Sequence, residues 1–195
     1  VWLDLPLDVQ GAIIETESLR AYDPAENPEQ RPQEILQETI EKILDKIEES
    51  HRPVLSPGNG VRLAGAIGEF HELVELLGVP VVTGMSSVDA LESDHPYFAG
   101  RSGGTGTRAG NFALQNSDVL LSIGNRQGFA QTGFQYQDWA RESYTILNDI
   151  DENELKKPSL HVSLPVVGDA GELIRGLLTE AKKRGADKGL SLIHI

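Results

Sequence analysis

Short apolar runs alternate with helical segments along most of this chain. The apolar runs are rich in Val, Ile and Leu and are bounded by Gly, Pro, Ser or Asn, which is the pattern of buried strands. They lie at residues 53–57, 79–83, 118–123, 144–149 and 160–164. Because helical segments separate these strands, crossover connections must join them, and we predict an α/β fold with a doubly wound parallel sheet.

The helical segments repeat apolar residues at steps of three and four. Helices are predicted from Pro32 through Ile47, from the turn at Gly58-Asn-Gly60 to Leu77, over 105–116 and over 169–183. The second of these should bury an apolar face that includes Leu63 and Phe70, and Gly78 should end it.

Shifts in composition divide the chain into four parts. These are the end of a preceding domain (1–10), a linker (11–34), a main domain (35–184) and a tail that joins no core (185–195). Pro24, Pro28 and Pro32 interrupt the linker and prevent regular structure there. Because the apolar residues at the start of the chain lack a sheet to join, we expect residues 1–31 to pack poorly.

Both ends of the chain resemble cut points. The final residues, Leu190-Ser-Leu-Ile-His-Ile195, match the translation of a mosaic-end adapter used in transposon-based sequencing libraries. The alternative for this segment is a short apolar tail or an edge strand. The first residue is Val1, which begins inside a strand pattern. We therefore expect the chain to be part of a longer protein.

Composition limits the possible partners. The net charge of −13 disfavours both nucleic acid and an anionic membrane surface. No apolar run approaches the ~20 residues that a membrane span requires. The absence of cysteine excludes disulfides and thiolate metal sites within the chain, and it agrees with a cytoplasmic location.

Candidate binding residues follow the predicted strands, because ligands bind beyond the carboxyl ends of a parallel sheet. Arg126 follows the strand-end Gly124 and could contact a phosphate or an adenine ring, or it could be a solvated surface residue. Asp149 and Asp151 flank another strand end, where a carboxylate can accept hydrogen bonds from ribose hydroxyls. A helix-capping role is the alternative for either aspartate.

Two glycine motifs allow more than one interpretation. Gly104-Thr-Gly106-Thr-Arg-Ala109 fits the spacing of the dinucleotide fingerprint, but no predicted strand precedes it, which favours a loop before a helix. Gly168-Asp169 followed by Gly171 matches the opening of a magnesium-diphosphate motif. The asparagine that such a motif requires further along is missing, so a helix cap at Asp169 is favoured.

The histidines and aromatic residues point to no catalytic group. No two of His51, His71, His95 and His161 have the spacing of metal ligands, and structural or solvated roles are favoured for all of them. Four aromatic residues after the third predicted strand either line a pocket or anchor an irregular loop: Phe129, Phe134, Tyr136 and Trp139. We predict no metal site and no catalytic residue in the chain.

The order of the motifs resembles that of thiamine-diphosphate-dependent enzymes, with the acetolactate-synthase-like branch nearest. Val1-Trp-Leu-Asp-Leu-Pro-Leu-Asp-Val9 is similar to the end of their pyrimidine-binding domain. The motifs that resemble their central domain are Arg52-Pro-Val-Leu-Ser-Pro-Gly-Asn-Gly60, Val79-Pro-Val-Val-Thr-Gly-Met85, His95-Pro96, the segment Asn111–Arg126 and Asn148-Asp-Ile-Asp-Glu152. The resemblance extends to about residue 184 and implies the Rossmann-like central fold of that family.

The resemblance implies a parent enzyme that depends on thiamine diphosphate and Mg²⁺. Such a lyase or transferase would act on a 2-oxo acid by decarboxylation or carbon–carbon ligation, as a homodimer or homotetramer. The activating glutamate and the magnesium-diphosphate motif belong to the outer domains of the family. This chain alone should therefore be inactive.

In that family the central domain binds FAD, another adenine nucleotide such as ADP or coenzyme A, or nothing. The positions that match its dinucleotide contacts are Gly58, Thr83, Met85, Arg126, Asp149, Ile150 and Asp169. The synthases commonly carry Phe-Asp-Asp-Arg after the residue that matches Arg126, whereas this chain has Gln127-Gly-Phe-Ala130. A nucleotide-binding module and a structural scaffold remain the alternatives.

Overall fold

The larger of two units in the chain, Pro32–Ile195, is built on a six-stranded sheet in which all neighbouring strands are parallel. The strands are β1 (Pro53–Pro57), β2 (Val81–Thr83), β3 (Phe98–Arg101), β4 (Val119–Ile123), β5 (Tyr144–Asp149) and β6 (Leu164–Val167). The computed structural model describes residues 3–21, 23–26 and 33–185. The strand order β3-β2-β1-β4-β5-β6 confirms the predicted doubly wound sheet, with its topological switch point between β1 and β4.

The described residues form eight α-helices. They are α1 (Leu7–Gln10), α2 (Gln37–Glu49), α3 (Asn59–Leu63), α4 (Ile67–Leu77), α5 (Arg108–Gln115), α6 (Phe129–Thr132), α7 (Glu152–Leu155) and α8 (Ala170–Lys183). Of these, α2 to α8 belong to the same unit as the sheet. The helix predicted between Gly58 and Leu77 is divided in two because Gly65 adopts a φ of 66°. As a result Leu63 is 80% exposed and does not join the buried face of α4.

One strand of the sheet was not predicted, and another was predicted at the wrong position. β3 was missed because Phe98-Ala-Gly-Arg101 has no β-branched run, and it is an edge strand that pairs with β2 alone. The last strand covers Leu164–Val167 and not 160–164. Its register is set by β5, which pairs Ile146 with Leu164. The existence of β3 also means that a strand does precede the glycine-rich loop at 102–107.

The two faces of the sheet are covered differently. We call the side under α2, α4 and α8 the helical face; its buried cluster includes Ile43, Phe70 and Leu173. We call the opposite side the loop face, since α5 and irregular segments around residues 139–143 and 155–163 cover it. Alternation along β4 sends Leu121 to the helical face and Leu120 to the loop face.

The smaller unit, Val1–Arg31, contains α1 and short helical turns at Thr16–Ser18 and Pro24–Glu26. The strand predicted at the start of the chain is not formed at residues 3–5, and every described side chain before residue 27 is exposed. Leu3 and Leu5 are 79% and 60% exposed, as expected for apolar residues without a sheet. Val1 and residues 186–195 lie outside the described residues, so the predictions for the tail and the domain boundaries stay predictions.

None of the helices within the described residues is long and apolar enough to span a bilayer.

Candidate functional site

A cavity of about 610 Å³ opens at the carboxyl edge of the sheet, at the switch point between β1 and β4. Its volume lies within the usual range of small-molecule pockets, roughly 300–1,000 Å³. Residues from α3, from the loops after β4, β5 and β6 and from the start of α8 line it. They are Asn59, Gly60, Leu63, Ala64, Ser86, Gly124, Asn125, Arg126, Gly128, Gln131, Asp149, Ile150, Gly168, Asp169 and Ala170.

Close backbone contact between the turn after β1 and the end of β4 shapes the cavity floor. A Cβ on Gly58 would lie 2.2 Å from the carbonyl oxygen of Gly124, and one on Gly60 would lie 2.7 Å from its Cα. Gly124 itself has a φ of 56°. These positions require glycine because a side chain on any of them would separate β1 from β4 at this edge.

The backbone N–H groups of this floor already have partners. Gly58 N donates to Ile123 O at 2.8 Å, and Gly60 N donates to Gly124 O at 3.0 Å. Gly124 N donates to the backbone and side-chain oxygens of the fully buried Asn148. A diphosphate therefore cannot use these donors, although glycine turns in doubly wound folds often provide them.

The start of α8 is also satisfied internally. The Oδ1 of Asp169 accepts hydrogen bonds from Gly171 N at 2.9 Å and Glu172 N at 3.0 Å. The helix-cap interpretation of Asp169 is thereby confirmed. Asp169 also lines the cavity, where its carboxylate adds negative charge near the helix end.

Arg126 provides the positive charge of the cavity wall. Its side chain is 73% exposed, and its Nε lies 3.0 Å from Oε1 of Glu154, which also pairs with Lys157. Asp149 lies on the neighbouring strand end, and its Oδ1 accepts a hydrogen bond from Asp151 N at 3.0 Å. The two aspartates have different roles: Asp151 caps α7 by accepting a hydrogen bond from Asn153 N, whereas Asp149 lines the cavity.

Buried polar side chains support the loop between β4 and the cavity. Asn125 is 5% exposed, and its Nδ2 donates to Ser56 Oγ at 3.3 Å. Gln127 is 2% exposed, and its Nε2 donates to Ser122 Oγ at 3.0 Å and Ser56 Oγ at 3.4 Å. Arg126 thus lies between two buried residues whose side chains reach β1 and β4.

The structure brings together four of the seven residues predicted for the nucleotide site. Arg126, Asp149, Ile150 and Asp169 line the cavity. The other three do not. Gly58 lies beneath the cavity in the turn before α3, Thr83 is fully buried, and Met85 is 60% exposed away from the lining.

Thr83 and Met85 do not line this cavity, because the loop after β2 presents a different residue there. Ser86 from that loop and Gln131 from α6 occupy this side of the cavity. Gly124, Asn125 and Gly168 also line the cavity, although they were not among the predicted contact residues. Glycine directly after a strand was the available signal, and Gln131 had none.

The described residues offer no metal site. Within the ranges 3–21, 23–26 and 33–185, no group of three or more His, Asp or Glu side chains could hold a metal ion. His71 bonds to Ala90 O and His95 pairs with Glu75, each away from the cavity.

The aromatic residues after β4 divide between two roles. Trp139 is buried in the core of the loop face, whereas Phe129 and Phe134 stack on each other at 5.7 Å and are largely exposed. None of the four aromatic residues lines the cavity. Trp139 instead borders a smaller pocket of about 210 Å³ beside the glycine-rich loop.

Comparison with known proteins identifies the family. Residues 40–177 match the family model described as thiamine pyrophosphate enzyme, central domain. The chain is 36% identical over 186 residues to the probable acetolactate synthase large subunit of Methanocaldococcus jannaschii, covering 91% of this chain and 30% of that protein. It is 36% identical to the acetolactate synthase of Mycobacterium avium over 75% of the chain and 23% of that protein.

Another relative, named for a different activity, has a similar sequence identity. The sulfoacetaldehyde acetyltransferase of Roseovarius nubinhibens is 33% identical over 72% of this chain and 24% of that protein. The chain spans less than a third of the length of each of these relatives. With the matching fold and family model, the chain belongs to the thiamine pyrophosphate enzyme family and contains its central domain.

Proposed function

We propose that the parent protein is a thiamine-diphosphate- and Mg²⁺-dependent lyase or transferase that acts on a 2-oxo acid. The observation that carries this proposal is the 36% identity to an acetolactate synthase over 91% of the chain. Thiamine diphosphate, when bound, supplies the electron sink for decarboxylation or carbon–carbon ligation. The parent is proposed to act in the cytoplasm as a homodimer or homotetramer.

In this proposal the chain has a non-catalytic role. Its described residues include no candidate metal cluster, and the cavity at the switch point contains no nucleophile beside a base. The test is turnover of pyruvate with thiamine diphosphate and Mg²⁺, measured for this chain and for the parent expressed from an extended gene. The chain alone should show none and the parent should be active; an inactive parent that folds and binds the cofactor would contradict the assignment.

We also propose that the cavity binds an adenine nucleotide, with a scaffold role as the alternative. Two side chains support this: Arg126 can contact a phosphate or the adenine ring, and Asp149 can accept hydrogen bonds from ribose hydroxyls. The N–H groups of Gly58, Gly60 and Gly124 are occupied, and Arg126 is the cation among the residues that line the cavity, so it supplies the charge that attracts phosphate.

Calorimetric titration of the chain with FAD, ADP and coenzyme A tests the cavity. Arg126→Ala should weaken the binding by about 10- to 100-fold, since a hydrogen bond to a charged group contributes roughly 1.5–3 kcal/mol. Arg141→Ala is a matched control, because Arg141 is exposed and pairs only with Glu142 at 3.7 Å.

A second variant predicts a change of opposite sign. Glu154→Gln removes the carboxylate that pairs with Arg126, so the guanidinium becomes free for phosphate and binding should tighten. If none of the three nucleotides binds, the domain acts as a scaffold. If Arg126→Ala binds as the wild type does, Arg126 does not contact the nucleotide.

A further inference from the structure

The loop after β4 has a strained backbone directly beside the cation of the cavity. Gln127 has a φ of 50°, and within the described residues only Ala140 is another non-glycine residue with such a value, at 46°. This conformation is uncommon for a long side chain, whereas glycine adopts it readily. Strain of this kind persists where the surrounding structure holds the residue in place.

The Gln127 side chain supplies the contacts that hold it. The residue is 2% exposed, and its Nε2 donates to the hydroxyls of Ser122 on β4 and Ser56 on β1. Both serines are fully buried. The carboxamide therefore ties the loop to two adjacent strands at the switch point, even though its Oε1 is buried without a partner.

Contacts of Asn125 hold the backbone on the other side of Arg126. Asn125 Oδ1 accepts a hydrogen bond from Gln127 N at 3.2 Å, and Asn125 Nδ2 donates to Ser56. Arg126 lies between these two residues, and its largely exposed side chain extends into the cavity wall. The long arginine side chain would lose direction if the backbone on its C-terminal side were released.

We propose that Gln127 is a positioning residue, which directs Arg126 into the nucleotide cavity by holding the left-handed turn on Ser56 and Ser122. Gln127 does not itself line the cavity, so it acts through Arg126 and not by touching the ligand. The inference rests on the proposed nucleotide binding, and it gives a specific function to Gln127, the first residue of the Gln127-Gly-Phe-Ala130 segment.

A double-mutant cycle with ADP and FAD tests this coupling. Gln127→Gly relieves the backbone strain and removes the anchor, and it should weaken binding roughly three- to tenfold through the lost order of one long side chain. In an Arg126→Ala background the same change should have no further effect. Ala140→Gly is the matched control, since it relieves the same strain elsewhere and should leave the affinity unchanged.

A ligand-free measurement separates this proposal from nucleotide binding itself. The ¹⁵N order parameters of the Arg126 Nε–H and of the amides of residues 126–128 should fall in Gln127→Gly and stay at wild-type values in Ala140→Gly. If Gln127→Gly does not fold, Gln127→Met keeps the side-chain volume, cannot donate to the serines and should show the same fall.

The outcomes are distinct. If the order parameters fall but the wild type binds no nucleotide, the proposed nucleotide binding fails and the positioning role stands. Unchanged order parameters overturn the positioning role. It is equally overturned if the Gln127 and Arg126 substitutions weaken binding additively.

Discussion

The two faces of the sheet are built from the same strands but in different ways. On the helical face, α2, α4 and α8 cover a continuous layer of Leu, Ile, Val and Phe side chains. On the loop face a smaller apolar cluster lies beside buried polar residues, among them Ser56, Ser122 and Thr145. Packing of rigid helices stabilises one face, whereas hydrogen bonds between strands and loops organise the other.

The difference has a consequence for the cavity. Arg126 and its neighbours follow β4 and are held through the polar layer of the loop face. Asp169 instead belongs to the start of α8, which packs on the helical face. The cavity therefore combines a wall fixed by apolar packing with a wall fixed by polar contacts, and each can be perturbed separately.

The largest effect is expected from adjacent leucines on β4 that point to opposite faces. Leu121→Ala should lower the free energy of unfolding by about 3–5 kcal/mol, and Leu120→Ala by about 2–3 kcal/mol. Both side chains are fully buried, but loops can collapse into the space on the loop face more easily than packed helices can. Urea unfolding measures both; a larger loss for Leu120→Ala would reverse the comparison.

The next effect in size is expected from Gly124, which lies at the cavity floor between the turn after β1 and the start of α8. Gly124→Ala would place a Cβ 2.8 Å from Gly60 Cα and 3.0 Å from Ala170 Cβ, at a φ of 56°. We expect a loss of about 2–3 kcal/mol. Gly104→Ala is the control, since no atom lies within 4 Å of its Cβ and its φ is not left-handed, and it should change stability by less than about 1 kcal/mol.

Removing a helix cap on each face should give smaller losses of stability. Asp169→Ala removes two hydrogen bonds from the start of the 14-residue α8 and should cost about 1 kcal/mol, whereas Asp169→Asn keeps the cap. Asp151→Ala at the four-residue α7 should cost only a few tenths of a kcal/mol. Thermal unfolding would contradict this reasoning if the two alanine variants lost equal stability.

The smallest effect concerns pH and the contact between α2 and α8. The Lys183 ammonium lowers the pKa of Glu180, and hydrogen bonds from Arg184 and Gln37 act in the same direction. Asp45 at the same contact raises the pKa of Arg184, which stays charged. A lowered folded pKa means that the stabilisation is present above the unfolded value of about 4.3 and is lost as the pH falls through the folded value.

Urea midpoints between pH 3 and pH 7 check this expectation. The urea midpoint of the wild type should exceed that of Glu180→Gln by the largest amount at neutral pH, and this difference should shrink as the pH falls. Glu142→Gln, an exposed change near the loop face, should reproduce the wild-type profile. If the difference between wild type and Glu180→Gln does not depend on pH, the charge of the Glu180 carboxylate does not cause the stabilisation.

The sequence by itself determined the central strands and the general place of the site. Both β1 and β4 are apolar runs with clear boundaries, so their positions follow from a local pattern. Arg126 follows the end of β4 and Asp149 is the last residue of β5, and the rule that parallel sheets bind ligands at that edge is sufficient to place them near each other. The edge strand β3 lacked such a pattern and could not be found in this way.

Only the tertiary structure decided the contacts that give the cavity its form. Asn125 and Ser56 are 69 residues apart, and they meet because β1 and β4 become neighbours in the sheet. The same holds for the contact of Gly60 with Gly124 and for the hydrogen bond from Gln127 to Ser56. Hydrophobic periodicity reports which side of a strand is buried, but the partner of a buried polar group depends on strand order and register, which no local pattern contains.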